Sequence, residues 1–169
     1  EIIDILKETY ASSIGVEFLH IQSPEQKQWV QERIEEVYNK TNFTTQGKKA
    51  IFQRLVESEL FEQYLDKKFL GTKRYGVEGG ESMIPGIEQI VKQSCLLGVK
   101  DIYFGTAHRG RLTLLSTVLG MPHRGILSKF QGNSNDPNEV LGSGDVKYHL
   151  GVSSDREFDG KKINLSLTP

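Results

Sequence analysis

The sequence predicts an α/β protein whose first part is mainly helical and whose second part begins a parallel-sheet domain. Glycine gives the first indication, because only two of the 17 glycines precede residue 70. Glycine permits tight loops and close backbone approach, so short elements joined by such loops are expected in the second part. The second indication is an order of helix, strand and helix after residue 80, which is typical of a layer built on a parallel sheet. We therefore expect a mainly helical segment over residues 1–70 and the start of an incomplete α/β domain over residues 71–169.

Three helices are predicted in the first part. Apolar residues recur at helical spacing from Ile2 to Tyr10. A second helix should begin at Ser23-Pro24, since serine caps a first turn and proline has no amide hydrogen to leave unbonded there. A third is predicted from about Gln46 to Leu65, and its expected inward-facing residues are Ile51, Leu55, Val56 and Leu60. The pattern of these helices indicates packing surfaces and no chemistry.

The second part is expected to alternate between helices and strands. The predicted elements are a helix over 82–96, a buried strand over 101–105, a helix over 110–119, a short helix over 124–130 and a hairpin that turns at Asp159-Gly160. The chain starts without methionine and its last residues continue a strand pattern, so we expect it to be a piece of a longer protein.

Composition argues against two classes of partner. Of the 169 residues, 25% are charged and the net charge is -1, so overall charge favours neither nucleic acid nor an anionic membrane. No apolar stretch approaches the ~20 residues that span a bilayer. We therefore expect no nucleic-acid partner and no membrane association.

The stretch F-G-T-A-H-R-G-R-L, from Phe104 to Leu112, joins the predicted strand to the next helix. Ligands of open α/β sheets bind where strands hand over to helices, and helix amides attract anions there. Arg109 and Arg111 add forked donors for carboxylate or phosphate, and His108 adds a titratable imidazole. The pattern predicts an anion site with a group able to move a proton. Spacing alone also allows a solvated histidine and surface arginines.

Three other sets of residues leave alternatives open. Arg74 lies between glycines, either in a constrained loop that directs its guanidinium or in a solvated basic turn. His149 is either a second imidazole of the site or a core histidine bonded to backbone, and we favour the core role. Glu78, Glu81 and Asp145 lack metal-ligand spacing, so no metal ligand is predicted among them.

Three segments together resemble one family. They are K-R-Y-G-V-E-G-G-E-S-M-I-P from Lys73, G-T-A-H-R-G-R-L from Gly105, and G-S-G-D-V-K-Y-H-L-G from Gly142. In this order they are similar to the thiamine-diphosphate-dependent 2-oxoglutarate dehydrogenases, the decarboxylating first component of a multienzyme complex. The resemblance covers nearly the whole chain. It implies that residues 71–169 begin the thiamine-diphosphate-binding domain.

The resemblance also implies a reaction and roles for two residues. Such enzymes use thiamine diphosphate and Mg²⁺ to decarboxylate 2-oxoglutarate, and pass the succinyl unit to a lipoyl group on a succinyltransferase in the tricarboxylic acid cycle. Arg74 matches an arginine beside cofactor and substrate. His108 matches a histidine on the substrate side, which makes it the candidate catalytic residue. A homodimer at full length, located in the bacterial cytoplasm or the mitochondrial matrix, is implied as well.

The chain departs from the family pattern at two positions and does not include all of it. Thr106 stands where methionine is common and Thr113 where asparagine is common. The family's Mg²⁺ and diphosphate segment falls mostly outside these residues, so the isolated chain is expected to be inactive. Two alternatives stay open: an enzyme for a related 2-oxo acid such as 2-oxoadipate, and a non-catalytic module in which Arg109 and Arg111 hold a phosphate.

Overall fold

A computed structural model describes residues 1–131 and 149–169 of the chain. The first seven residues of the ten-residue motif from Gly142 therefore lie outside the described residues. The elements are α1 (Ile2–Tyr10), α2 (Pro24–Glu36), α3 (Thr45–Lys68), α4 (Met83–Leu96), β1 (Asp101–Phe104), α5 (Arg111–Thr117), α6 (His123–Phe130), β2 (Val152–Phe158) and β3 (Lys161–Leu167). This mixture of helices with a small sheet confirms the predicted α/β class with a helical first part.

The chain divides into two compact units, Glu1–Lys48 and Lys49–Pro169. The division falls near the start of α3, whereas the sequence suggested a boundary near residue 70. A single 24-residue helix runs across residue 48 and continues to Lys68, so the helical pattern extends further than the first compact unit. The assignment of residues 1–70 and 71–169 to separate domains of a whole protein stays a prediction.

The first unit consists of α1, α2 and the beginning of α3. The predicted cap is present, because the Ser23 hydroxyl accepts a hydrogen bond from the Gln26 amide at 3.4 Å and Pro24 occupies the first turn. Side chains link α1 to the end of α2 and the residues after it: the Tyr10 hydroxyl donates to Glu35, and Lys40 pairs with Glu8. None of the helices in the described ranges is long and apolar enough for a membrane span.

The second unit carries a three-stranded sheet of order β1-β3-β2. β1 runs parallel to β3, with Asp101 opposite Asn164, and β2 is antiparallel to β3. The predicted parallel pairing is therefore confirmed for one pair, and the hairpin makes the sheet mixed. The hairpin turns at Asp159 and Gly160, which both have positive φ, as a two-residue type I′ turn requires.

One core cluster lies between the sheet and the helices of this unit. Its fully buried members include Leu65 of α3, Ile84 of α4, Leu115 of α5 and Leu165 of β3. β1 faces this core with alternate residues only, since Tyr103 is 73% exposed. The predicted buried strand is therefore buried on one side only, because the described residues cover one face of the sheet.

The inward face of α3 also differs from the prediction. Leu60 is exposed, whereas Phe61 and Leu65 are buried. Ile51, Leu55 and Val56 are half-buried, in agreement with the prediction, so the difference is confined to the later turns of the helix. Glu62 is half-buried beside Phe61 in these turns.

Candidate functional site

The predicted junction is present as a strand, a loop and a helix. β1 ends at Phe104 and α5 begins at Arg111, with Gly110 as its N-terminal cap at φ +70°. His108 and Arg109 lie exposed in the loop between them. The predicted succession of strand, loop and helix is therefore confirmed.

Two amides at the start of α5 are not free for an anion. The Gly110 N–H donates to the Tyr75 carbonyl at 2.7 Å, and the Arg111 N–H donates to the His108 carbonyl at 3.2 Å. Each of these donors already has a carbonyl acceptor, and α5 is only seven residues long. These two N–H groups therefore close the loop before α5.

Arg111 corrects the sequence interpretation most clearly. It is only 4% exposed, and its guanidinium donates four hydrogen bonds to backbone carbonyls. The acceptors and distances are Ala107 at 3.4 Å, Leu150 at 3.0 Å, Thr168 at 2.7 Å and Thr106 at 2.6 Å. Burial lowers the pKa of Arg111, yet a guanidinium remains charged at physiological pH. Arg111 therefore ties the loop before His108 to the end of β3 and is not available to an anion.

Arg109 remains at the surface. Its guanidinium donates to the Gly76 carbonyl at 3.1 Å and lies 3.6 Å from the Glu78 carboxylate. The side chain is 67% exposed, so these contacts are exchangeable with solvent or a ligand. Of the two arginines in the motif, only Arg109 keeps the accessibility that the anion-binding interpretation requires.

His108 packs against Tyr75. Their ring centroids are 4.2 Å apart and the rings are tilted by 43°. Tyr75 has φ +47°, a conformation that is unfavourable for a residue with a side chain. The contact brings the motif that contains Arg74 next to the motif that contains His108, although they are far apart in sequence.

Arg74 is half-buried and already has protein partners. It donates to the carbonyls of Phe69 at 3.0 Å and Thr72 at 2.9 Å, and it pairs with Asp66. These bonds use three of the five N–H donors of a guanidinium. The other two donors have no partner among the described residues, so they can bind a ligand. Within the same ranges, no hydrogen bond or ion pair joins Arg74 to His108.

A cleft of about 260 Å³ lies between α3, the 74–81 segment and α5. Its charged lining comprises Glu59, Glu62, Asp66, Arg74, Glu78 and Glu81. His108 is not among the lining residues. Five carboxylates against one arginine make the cleft acidic, and Arg74 is the only cation of its lining among the described residues.

Glu62 is the cleft residue that the sequence analysis missed. Its two carboxylate oxygens accept the Val77 N–H at 2.9 and 3.0 Å, and the Thr113 hydroxyl donates to the same carboxylate. Burial raises the pKa of Glu62, with the carboxylates of Glu78 and Glu81 contributing, and the two hydrogen bonds oppose the shift. The one sequence signal was its position between the apolar residues Phe61 and Leu65.

The pKa of Glu62 predicts a pH dependence of stability. A carboxyl whose pKa is raised by folding binds its proton more tightly when folded, so the free energy of unfolding falls as pH rises from the ordinary glutamate range through the raised value. We expect Glu62→Gln to remove this decline in pH-dependent urea unfolding. Glu81→Gln should change the slope in the opposite direction, because hydrogen bonds from its own N–H and that of Gly79 lower the pKa of Glu81. Identical profiles for the two variants would contradict the assignment.

The remaining histidines and possible metal ligands lie apart from the junction. His123 begins α6, one residue before the predicted start, and stacks on Phe61 with centroids 4.9 Å apart. His149 is exposed, so the favoured core role was wrong. Over residues 1–131 and 149–169, no group of three or more His, Cys, Asp or Glu side chains could hold a metal ion. Asp145 lies outside these ranges.

The second unit is thus a segment of an α/β domain in which a histidine at a strand exit lies against a basic, glycine-rich segment. No family model matches the chain. The 2-oxoglutarate dehydrogenase E1 component of Brucella anthropi is 61% identical over 168 residues, and those of Brucella canis and Brucella suis are each 59% identical. In all three, the match covers 99% of this chain and 17% of the relative. The chain is therefore a homologue of part of the 2-oxoglutarate dehydrogenase E1 component, and the resemblance predicted from its motifs is confirmed.

Proposed function

We propose that the chain is part of an enzyme that decarboxylates 2-oxoglutarate with thiamine diphosphate and Mg²⁺ and passes the succinyl group to the lipoyl group of a succinyltransferase. The observation that carries this proposal is the identity of about 60% to 2-oxoglutarate dehydrogenase E1 components along 99% of the chain. The proposal includes a homodimer at full length, in the bacterial cytoplasm or the mitochondrial matrix. Residues 71–169 would then begin the thiamine-diphosphate-binding domain.

His108 is proposed as the catalytic residue and as a substrate ligand. Its imidazole is exposed at the strand exit and is supported on one side by Tyr75. From there it can donate a hydrogen bond to a 2-oxo acid or move a proton. Because the neighbouring cleft is acidic, we place the substrate carboxylates on the side of the loop that carries His108 and the exposed Arg109.

Arg74 is proposed as a ligand of both substrate and cofactor through its two remaining N–H donors. The described residues do not form a complete cofactor site: the Gly110 and Arg111 amides are bonded to protein carbonyls, and no metal cluster is present within the described ranges. As the resemblance implies, the Mg²⁺ and diphosphate ligands are proposed to lie mostly outside this chain, and the 169-residue chain alone should be inactive.

The test is decarboxylation by the full-length enzyme with His108→Ala. We expect a loss of roughly 10²- to 10⁴-fold in kcat/KM for 2-oxoglutarate, the usual contribution of a proton-transferring side chain. His123→Ala is the matched control, because His123 is also exposed and also stacks on an aromatic ring. Its activity should stay within about twofold of wild type, and circular dichroism should show both variants folded.

The same assay separates the alternatives. A preference for 2-oxoadipate over 2-oxoglutarate would move the proposal to the related 2-oxo acid enzymes. Unchanged turnover in a folded His108→Ala variant would refute its catalytic role. The structure gives the non-catalytic phosphate-binding module less support than the sequence did, because Arg111 is buried among carbonyls.

A further inference from the structure

Glu62 occupies the point where three parts of the second unit meet. It belongs to α3, it accepts the Val77 N–H with both carboxylate oxygens, and it receives the Thr113 hydroxyl from α5. The Glu62 carboxylate therefore joins the 74–77 segment to α5 through side chains, beside the backbone bond from the Gly110 N–H to the Tyr75 carbonyl.

The sequence leaves room for this carboxylate at Gly76. A Cβ atom at that position would lie 2.9 Å from the Glu62 Cδ and 2.7 Å from Glu78 Oε1. Real Cβ atoms do not approach other heavy atoms so closely, so any larger residue would displace the Glu62 carboxylate. The backbone of the segment thus approaches Glu62 because residue 76 has no side chain.

The anchored segment carries the groups proposed for function. Arg74 lies three residues before the anchored Val77 amide, and Tyr75 lies between them. The Tyr75 carbonyl accepts the Gly110 N–H at 2.7 Å and its ring supports His108. The positive φ of Tyr75 is a strained conformation that surrounding contacts must maintain. A contact that holds the Val77 amide, two residues after Tyr75, therefore also supports the position of Tyr75 under His108.

We propose that Glu62 is a positioning residue: its carboxylate fastens the 74–77 segment to α5, so that Arg74 and the Tyr75–His108 pair are held in the arrangement that substrate binding requires. This inference rests on the proposed function, because the reaction defines what is being positioned. Glu62 acts through Val77 and Tyr75 and does not touch the substrate. A misplacement of about 1 Å at a reacting centre costs on the order of a hundredfold in rate, which sets the scale of the expected effect.

The experiment combines kinetics with local hydrogen exchange on the full-length enzyme. Glu62→Ala should accelerate amide exchange of peptides covering 74–77 by at least about tenfold and lower kcat/KM for 2-oxoglutarate by roughly tenfold to a hundredfold. Glu62→Gln should be intermediate in both measurements, because the amide oxygen still accepts one N–H. Glu57→Gln on the same helix is the control, since its partners Gln53 and Arg54 lie within α3; it should change neither.

Three results would overturn the proposal. They are faster exchange with unchanged kcat/KM, reduced kcat/KM with unchanged exchange at 74–77, and Glu62→Gln behaving as Glu57→Gln does. If Glu62→Ala does not fold, Glu62→Gln and Thr113→Val give the same comparison. A wild-type enzyme that does not decarboxylate 2-oxoglutarate would refute the proposed function instead, and the exchange data would then decide alone whether Glu62 fixes the segment.

Discussion

Replacing Arg111 by methionine should destabilise the protein by at least about 3 kcal/mol in urea unfolding. The guanidinium bonds to four carbonyls, and a hydrogen bond to a charged group is worth about 1.5–3 kcal/mol. Methionine fills most of the volume but donates nothing, so the carbonyls lose their partners together. Because a whole domain is stable by only about 5–15 kcal/mol, this is a large loss.

The neighbouring arginine provides the control for Arg111. Arg109→Met removes the same charge two residues earlier in the chain, but Arg109 is largely exposed and should cost less than about 1 kcal/mol. Arg111→Lys should resemble Arg111→Met more than wild type, since an ammonium cannot reach carbonyls in four directions. Equal unfolding midpoints for the Arg109 and Arg111 variants would show that the buried bonds do not stabilise the loop.

Arg111 also shows why part of the site could not be predicted. The strand, the loop and the helix around it follow from local signals: an apolar run, two glycines and helical spacing. Two of its acceptors, however, lie 39 and 57 residues away in sequence, at Leu150 and Thr168. The residues next to Arg111 in sequence do not indicate that these distant carbonyls surround its guanidinium. Its local sequence therefore suggested that Arg111 binds an anion.

The difference between local signals and contacts distant in sequence also explains the outcome of the predictions for α3 and the hairpin. Asp159-Gly160 determines a turn through its own backbone preferences, and the turn was predicted correctly. The buried face of α3 depends instead on what packs against it, and the prediction chose Leu60 where the fold buries Phe61. Glu62 was missed because the inward face was predicted from apolar residues alone, and a glutamate does not contribute to that pattern.

The junction was thus predictable as a location, and its electrostatics were not. His108 lies at the strand exit where the α/β rule places a ligand-binding residue. The positive charge expected beside it is reduced by the inward turn of Arg111 and by the carboxylates of the cleft. A whole enzyme that binds a dicarboxylate at His108 would therefore need further donors from residues outside those described.

Gly110→Ala should be the most damaging of the glycine substitutions near this junction, with a loss of about 2–5 kcal/mol. Gly110 has φ +70°, which costs a residue with a side chain about 1–2 kcal/mol. An added Cβ would also lie 2.8 Å from Val77 Cγ2, and such overpacking typically costs a further 1–3 kcal/mol or so. The clash pushes on the residue whose amide Glu62 holds.

Gly120→Ala separates the two contributions. Gly120 has nearly the same φ, +72°, but no atom lies within 4 Å of its Cβ position. It should therefore lose only the conformational part, about 1–2 kcal/mol. The difference between the two variants in urea unfolding measures how tightly Val77 packs against the start of α5. Equal losses would mean that Val77 packs loosely against the start of α5. That result would contradict the proposal that Glu62 and Gly110 support His108 through Val77.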